Sequence, residues 1–320
     1  MDRAQARDGA IIRAAKAPRA AIALLALSLM PACSAVSGYQ IAAQPPSPLP
    51  THVDFNSPPL TSRWLNGVAL PSMTDLSSWQ AKTGEHPAII AMFARFGAPL
   101  PTVGITQALM AGAVPLVQLD PSGTSLSAIS SGKFDRQLRG YAAELRALDD
   151  PVLLSFGHEM NGVWYSWGCQ QARPATFRAA WRHIHDSISA PNVSWVWTIN
   201  DIWQGDPCPL RPWYPGSAYV DWVGIDGYLR GSIGTFHAAF GRTLAALHRV
   251  ARGKPAILAE TGVSWGPAWA ARLNNLYRGA HRAGLHGIVY FDSVTSNGDY
   301  RPDTHPAGLR EFRKTLSKWN

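Results

Sequence analysis

Two glutamates frame the chemistry this sequence could perform. Glu159 follows the apolar run Val152 to Gly157 in VLLSFGHEMNG, and Glu260 follows AILA, so each carboxyl abuts the end of a strand-like segment. Paired carboxyls are the equipment of glycosidic-bond hydrolysis, in which one acid protonates the leaving oxygen and the other, ionised, attacks the anomeric carbon. A retaining reaction needs the two about 5 to 5.5 Å apart and in unequal environments. Taken singly, either glutamate reads as a solvated loop acid; it is the pair that points to catalysis. Directly after Glu159 comes GVWYSWG, which sets Trp164, Tyr165 and Trp167 in a loop. Exposed indole and phenol faces stack on the flat C–H faces of pyranose rings, so the sequence predicts a sugar groove here. Trp203, Trp213 and Trp265 also follow strand candidates in a chain with 13 tryptophans.

Elements that bring two distant carboxyls together must be rigid and closely spaced. Eight short apolar runs qualify as strands: Trp64–Leu70, Ala88–Phe93, Val114–Leu119, Val152–Phe156, Val193–Thr198, Val220–Ile225, Ala256–Ala259 and Gly287–Phe291. Between them lie amphipathic helical patterns such as Phe134–Leu148, Ala175–Ile188, Thr235–Ala251 and Trp269–Ala283, and a last one spans Ala307–Trp319. Eight strand–helix repeats over about 260 residues predict an α/β fold, the (β/α)8 TIM barrel. The alternative is a doubly wound open sheet, but no glycine-rich dinucleotide fingerprint follows the first strand. Strands four and seven face each other across a barrel mouth, which places Glu159 and Glu260 on opposite walls of one site.

The rest of the chain bounds its setting. Residues 1–32 combine a basic segment with the apolar stretch Ala21 to Met30, an export signal too short to span a bilayer. Cys33 follows as a candidate for lipidation, with simple cleavage as the alternative. Residues 33–61, rich in Pro, Ser and Gln, read as a disordered linker, and residues 62–320 as a single catalytic domain. The expected location is therefore exported: periplasmic, envelope-anchored or secreted. Residues 1–32 carry five basic and two acidic groups, so removing them lowers the formal charge from +8 to +5. With no dense Lys/Arg run, this charge does not suggest nucleic-acid binding. Two cysteines then remain, Cys169 and Cys208, and an oxidising compartment favours a disulfide between them over two free thiols. Neither a metal-ligand cluster nor a phosphate-cradling loop is present, so no cofactor and no metal are expected. A monomer acting on a polysaccharide substrate is the expectation.

GHEMNGVWYSWG resembles the acid/base motif of glycoside hydrolase family 26, which holds many β-mannanases. LAETG resembles that family's nucleophile segment, and YPGSAYVDWVGIDGY (Tyr214–Tyr228) its strand-six region, so that the likeness covers about residues 62 to 318. Carried onto this sequence, the resemblance implies Glu159 as acid/base, Glu260 as nucleophile and Tyr228 as the nucleophile's hydrogen-bond partner. It further implies substrate contacts from His158 and Asn161, sugar subsites lined by Trp164 and Trp167, and Asp226 orienting groups at the mouth. Two stretches depart from the family: VQLDP (Val117–Pro121) stands where an aromatic and an acid are expected. VYFDS (Val289–Ser293) puts Phe291 where a tryptophan is common. The implied activity is retaining endo-hydrolysis of β-1,4-mannan. β-1,3-1,4-Glucan and β-1,3-xylan are the alternatives within the fold, and a non-catalytic exopolysaccharide-binding protein is the alternative outside it.

Overall fold

The computed structural model describes residues 63–319, so the leader, Cys33 and the linker lie outside the described residues. In chain order the elements are β1 (Leu65–Ala69), α1 (Leu76–Thr83), β2 (Ile89–Arg95), α2 (Thr102–Met110), β3 (Val114–Asp120), α3 (Leu126–Ser130), α4 (Asp135–Leu148), β4 (Val152–Phe156), α5 (Pro174–Ser187) and β5 (Val193–Asn200). There follow β6 (Trp222–Leu229), α6 (Phe236–Val250), β7 (Ala256–Val263), α7 (Trp269–Arg282), β8 (Gly287–Phe291), the short hairpin β9 (Val294–Thr295) and β10 (Gly298–Asp299), and α8 (Pro306–Leu316). Strands β1 to β8 pair in parallel in chain order, and β8 closes on β1, where Leu65 faces Gly287 and Ala69 faces Phe291.

Both faces of this sheet are covered, which is why the strands read as continuous apolar runs. One set of alternate residues, among them Leu65, Ile89, Leu116, Leu153, Val196, Trp222, Ile257 and Val289, fills the barrel interior. The other set meets the helices through large buried rings, including Phe156, Phe177, Trp181, Phe240, Tyr277 and Phe312. Two residues further along the inward faces of β3, β4 and β5, and four along that of β6, towards the strand C-termini, apolar side chains give way to Gln118, Ser155, Thr198 and Asp226, all buried. The interior thus becomes polar beneath the mouth.

The strand–helix alternation is not uniform. Between β3 and β4 there are two helices, whereas the β5–β6 connection, residues 201–221, has only two single turns of 3-10 helix, Arg211–Trp213 and Ser217–Tyr219. The (β/α)8 barrel is the expected one, and the β5–β6 unit is the place where its repeat has no α-helix. The helix-free connection is pinned by cations from its neighbours: Arg178 donates to the Pro212 carbonyl, Arg182 Nε to Pro215 at 2.7 Å and Lys254 Nζ to Ser217 at 2.9 Å. Carbonyls that a helix would satisfy internally are capped by side chains instead.

Candidate active site

The β4 end is built from two left-handed residues. Gly157 has φ 56° and a Cβ there would lie 2.9 Å from Phe177, so both conformation and space demand glycine. Glu159 has φ 52°, a region a non-glycine residue occupies at a cost of about 1–3 kcal/mol. Its surroundings hold it there. The Glu159 N–H donates to the Thr198 carbonyl at 3.0 Å, and its own carbonyl accepts from Gly162 at 2.8 Å. Asn161 is fully buried and spends its amide on β5, accepting from the Asn200 N–H at 2.8 Å and donating to the Asn200 carbonyl at 2.9 Å. Trp167 is buried as well, and its indole N–H donates to the His158 carbonyl at 2.9 Å. Asn161 and Trp167, expected to touch substrate, are instead the braces of the Glu159 turn.

The side chains around Glu159 form a chain of contacts. Its Oε2 accepts from the indole N–H of Trp164 at 2.8 Å, while the Trp164 ring is half exposed. His158 is buried, with Nδ1 2.7 Å from Asp120 Oδ1 and Nε2 3.2 Å from the Tyr165 hydroxyl. Burial alone would lower the His158 pKa, but Asp120 beside it, with Glu159 and Glu260 adding to the effect, leaves it raised. Burial also raises the pKa of Glu159, against the opposing pull of His158 and the Trp164 donor.

Glu260 reaches the same mouth by a different device. It lies inside β7, not after it as the sequence predicts, and the register against β6 slips between Ile225 and Asp226, pairing Ile225 with Leu258 but Asp226 with Glu260. The β7–β8 pairing slips too, from Leu258–Ile288 to Thr261–Tyr290. An extra residue in β7 is a bulge, and it reverses the parity of the strand. Ile257 and Ala259 belong to the interior cluster and Leu258 to the outer one, so regular alternation would turn Glu260 outwards. The bulge returns it to the mouth and sends Val263 to the outer layer. There Glu260 Oε1 accepts from the Tyr228 hydroxyl. Burial pushes its pKa up to about 7, the Tyr228 donor opposes the rise and Glu159 adds to it.

Asp226 lies within β6, completely buried, and its carboxyl oxygens have no hydrogen-bond partner among the described residues. Burial first, and then Glu260 and Glu159, hold its pKa well above the usual carboxylate range. It belongs to the floor of the site, beneath the mouth where it was expected. Phe291, half-buried at the end of β8, meets the Tyr228 ring at 5.9 Å, and Tyr300 packs against both, 4.5 Å from the Tyr228 ring and 6.3 Å from that of Phe291. Two contributors escaped the sequence reading as site residues, Asp120 and Phe93, the latter 42% exposed at 5.5 Å from the His158 ring, while Tyr165, read as a groove aromatic, spends its hydroxyl on His158. Asp120 and Phe93 each continue an inward-facing strand pattern to its last turn, a signal the sequence does carry. Cys169 and Cys208 form a disulfide that joins the Trp164 loop to the β5–β6 connection, with Cα atoms 6.0 Å apart. Among the described residues no group of three or more His, Cys, Asp or Glu side chains could hold a metal ion.

A family profile decides the lineage of this arrangement: that of glycosyl hydrolase family 26 matches residues 125–299, which span β4 to β8 and both glutamates. The chain belongs to this family. Among curated relatives, endoglucanase H of Acetivibrio thermocellus is 25% identical over 283 residues, covering 82% of this chain and 31% of the relative. A mannan endo-1,4-beta-mannosidase of Bacillus subtilis is 26% identical over 204 residues, 49% of this chain and 55% of the relative. The beta-1,3-xylanase TXYA of a Vibrio species is 28% identical over 97 residues, 30% of this chain and 21% of the relative. The chain thus spans less than a third of the length of the first-ranking of these, endoglucanase H. Among solved structures, a double mutant of the Cellulomonas fimi endo-beta-1,4-mannanase superposes with a TM-score of 0.62 at 19% identity, over 80% of this chain and 71% of the other, a likeness of fold.

Proposed function

We propose that the chain is a retaining, endo-acting glycoside hydrolase that cleaves a β-1,4-mannan backbone, with Glu260 as nucleophile and Glu159 as general acid/base. The observation that carries the reading is the opposed pair itself: two partly buried carboxyls from β4 and β7, each held by one aromatic donor, with Glu159 acting on Glu260 through a desolvated mouth. In the first step Glu260 attacks the anomeric carbon as the glycosidic C–O bond breaks, and Glu159 gives its proton to the departing oxygen. Glu159, now ionised, takes a proton from water as that water displaces Glu260 from the sugar, which restores both groups with net retention. Tyr228 fits the role of holding Glu260 ionised and aimed, because a hydroxyl donor favours the carboxylate form. His158, with both ring nitrogens engaged by Asp120 and Tyr165, contributes its charge beside Glu159 and Glu260. Trp164 and Phe291 supply aromatic surface on the two sides.

The mannan assignment draws on the names of several relatives. β-1,3-Xylan and β-1,3-1,4-glucan form the second reading, favoured by the departures at VQLDP, where Leu119 stands in place of an aromatic, and at Phe291, where a tryptophan is common. Glu260→Ala tests the core of the proposal: hydrolysis of mannan should vanish and return with added azide as a product of inverted configuration. Full activity in that variant would remove Glu260 as nucleophile. Sugar release from a panel of mannan, lichenan and xylans separates the two substrate readings. Export, with Cys33 as a site of lipid attachment, belongs to the same proposal, and metabolic labelling with a radioactive fatty acid that Cys33→Ala abolishes would support it.

A further inference from the structure

The groove does not end at Glu159. Trp164 and Trp203 are 49% and 40% exposed, and their rings lie 6.5 Å apart at an interplanar angle of 29°. Trp164 donates to Glu159, so in the proposed mechanism this aromatic pair flanks the leaving-group side of the cleaved bond. The Cys169–Cys208 disulfide ties together the two loops that carry it. Trp203 also forms one wall of a second space, a cleft of about 630 Å³ between the helix-free β5–β6 connection and the outer face of α6. That is the size of a small-oligosaccharide site.

The lining of this cleft is basic. Arg211 comes from the connection, and Arg242 and Arg249 come from one face of α6, two turns and about 10 Å apart along the helix. All three are exposed, and none forms an ion pair among the described residues. Asp206 is the single acid in the lining, and its Oδ1 already accepts from the Cys208 N–H at 2.9 Å. Arg211 Nη2 reaches only the Arg249 carbonyl, at 3.5 Å, so the three guanidiniums form a positive patch with no carboxylate paired to it among the described residues, the kind of surface that a carboxylate ligand can neutralise. The mouth has the opposite character: Asp120, Glu159, Asp201, Asp226 and Glu260 act on one another there, which disfavours an anionic sugar at the point of cleavage.

We propose that the arginine cleft binds carboxylate-bearing sugar units on the leaving-group side of the substrate. The polysaccharide then places a neutral unit between Glu159 and Glu260, and its acidic units pass over Trp203 to Arg211, Arg242 and Arg249. This inference rests on the groove direction given by the proposed function. It adds to the proposed mannan backbone acidic, uronate-type units on the leaving-group side of the cleaved bond.

The test is calorimetric binding of two hexamers to the full chain, β-1,4-mannuronate and neutral β-1,4-mannohexaose, at low and at high salt. The mannuronate should bind about tenfold more tightly at low salt, and the preference should collapse at high salt. The double variant Arg242→Ser/Arg249→Ser should lose the preference while still binding mannohexaose, and Arg242→Lys/Arg249→Lys should keep most of it. Equal affinities in the parent protein, or a preference that survives the serine variant, would overturn the inference. A chain that prefers mannuronate through these arginines yet hydrolyses no polysaccharide would leave the cleft standing and remove the proposed hydrolase.

Discussion

The two walls of the mouth deliver equivalent groups by opposite means. On the β4 wall Glu159 sits outside the sheet, in a left-handed turn held by buried Asn161 and Trp167. On the β7 wall Glu260 stays inside the sheet, and a bulge turns its side chain inwards. The first device stores strain in one residue and is secured by side chains from the loop itself. The second spreads its cost over a register slip between three strands. The β4 wall is therefore the part whose geometry depends on few contacts, and the β7 wall the part that tolerates loss of a neighbour.

That contrast can be sharpened by substitution. Glu260→Ala should have the largest effect, lowering kcat on polymer by roughly four to six orders of magnitude, because no other group can form the covalent intermediate. Glu159→Ala should cost about 10²- to 10⁴-fold on polymer, yet far less on a dinitrophenyl glycoside whose leaving group needs no proton. If both substrates suffer alike, Glu159 is not the acid. Tyr228→Phe removes a donor that lowers the Glu260 pKa, so that pKa should climb above its present value of about 7. The acid limb of the kcat/KM profile should then move to higher pH, with a loss of about 10- to 100-fold. Trp164→Phe removes the donor on Glu159, which raises the pKa of the acid, so here the alkaline limb should move up, with roughly a tenfold loss. The two substitutions thus shift opposite limbs, and a swap of limbs would reverse the catalytic roles. The smallest effect is on stability. Glu159→Gly should melt about 2 °C above Glu159→Ala, because only glycine occupies φ 52° without strain; equal melting temperatures would show the turn to be unstrained.

Much of the barrel was legible, because strands buried on both faces leave unbroken apolar runs, and β4 and β8 begin and end where the pattern places them. Two features were not. The bulge near Ala259 leaves no mark in AILAETG, since alternation cannot be read in a run that is apolar on both faces. The missing helix between β5 and β6 was hidden because prolines and tryptophans in that stretch look like an ordinary long loop after a strand. Within the site, the string HEMNG locates the turn but does not tell which of its polar side chains faces outwards. Asn161 and Trp167 point inwards because the left-handed Glu159 redirects the chain around them.

The central claim is that Glu260 becomes covalently bonded to sugar. Incubation with a 2-deoxy-2-fluoro β-mannobiosyl fluoride, whose glycosyl-enzyme hydrolyses slowly, followed by peptide mass spectrometry, reads it directly. The account predicts one added fluoromannobiosyl group, carried by the peptide that contains Glu260 and absent in Glu260→Ala; a label on Glu159, or steady turnover with an inverted product and no adduct, would contradict it.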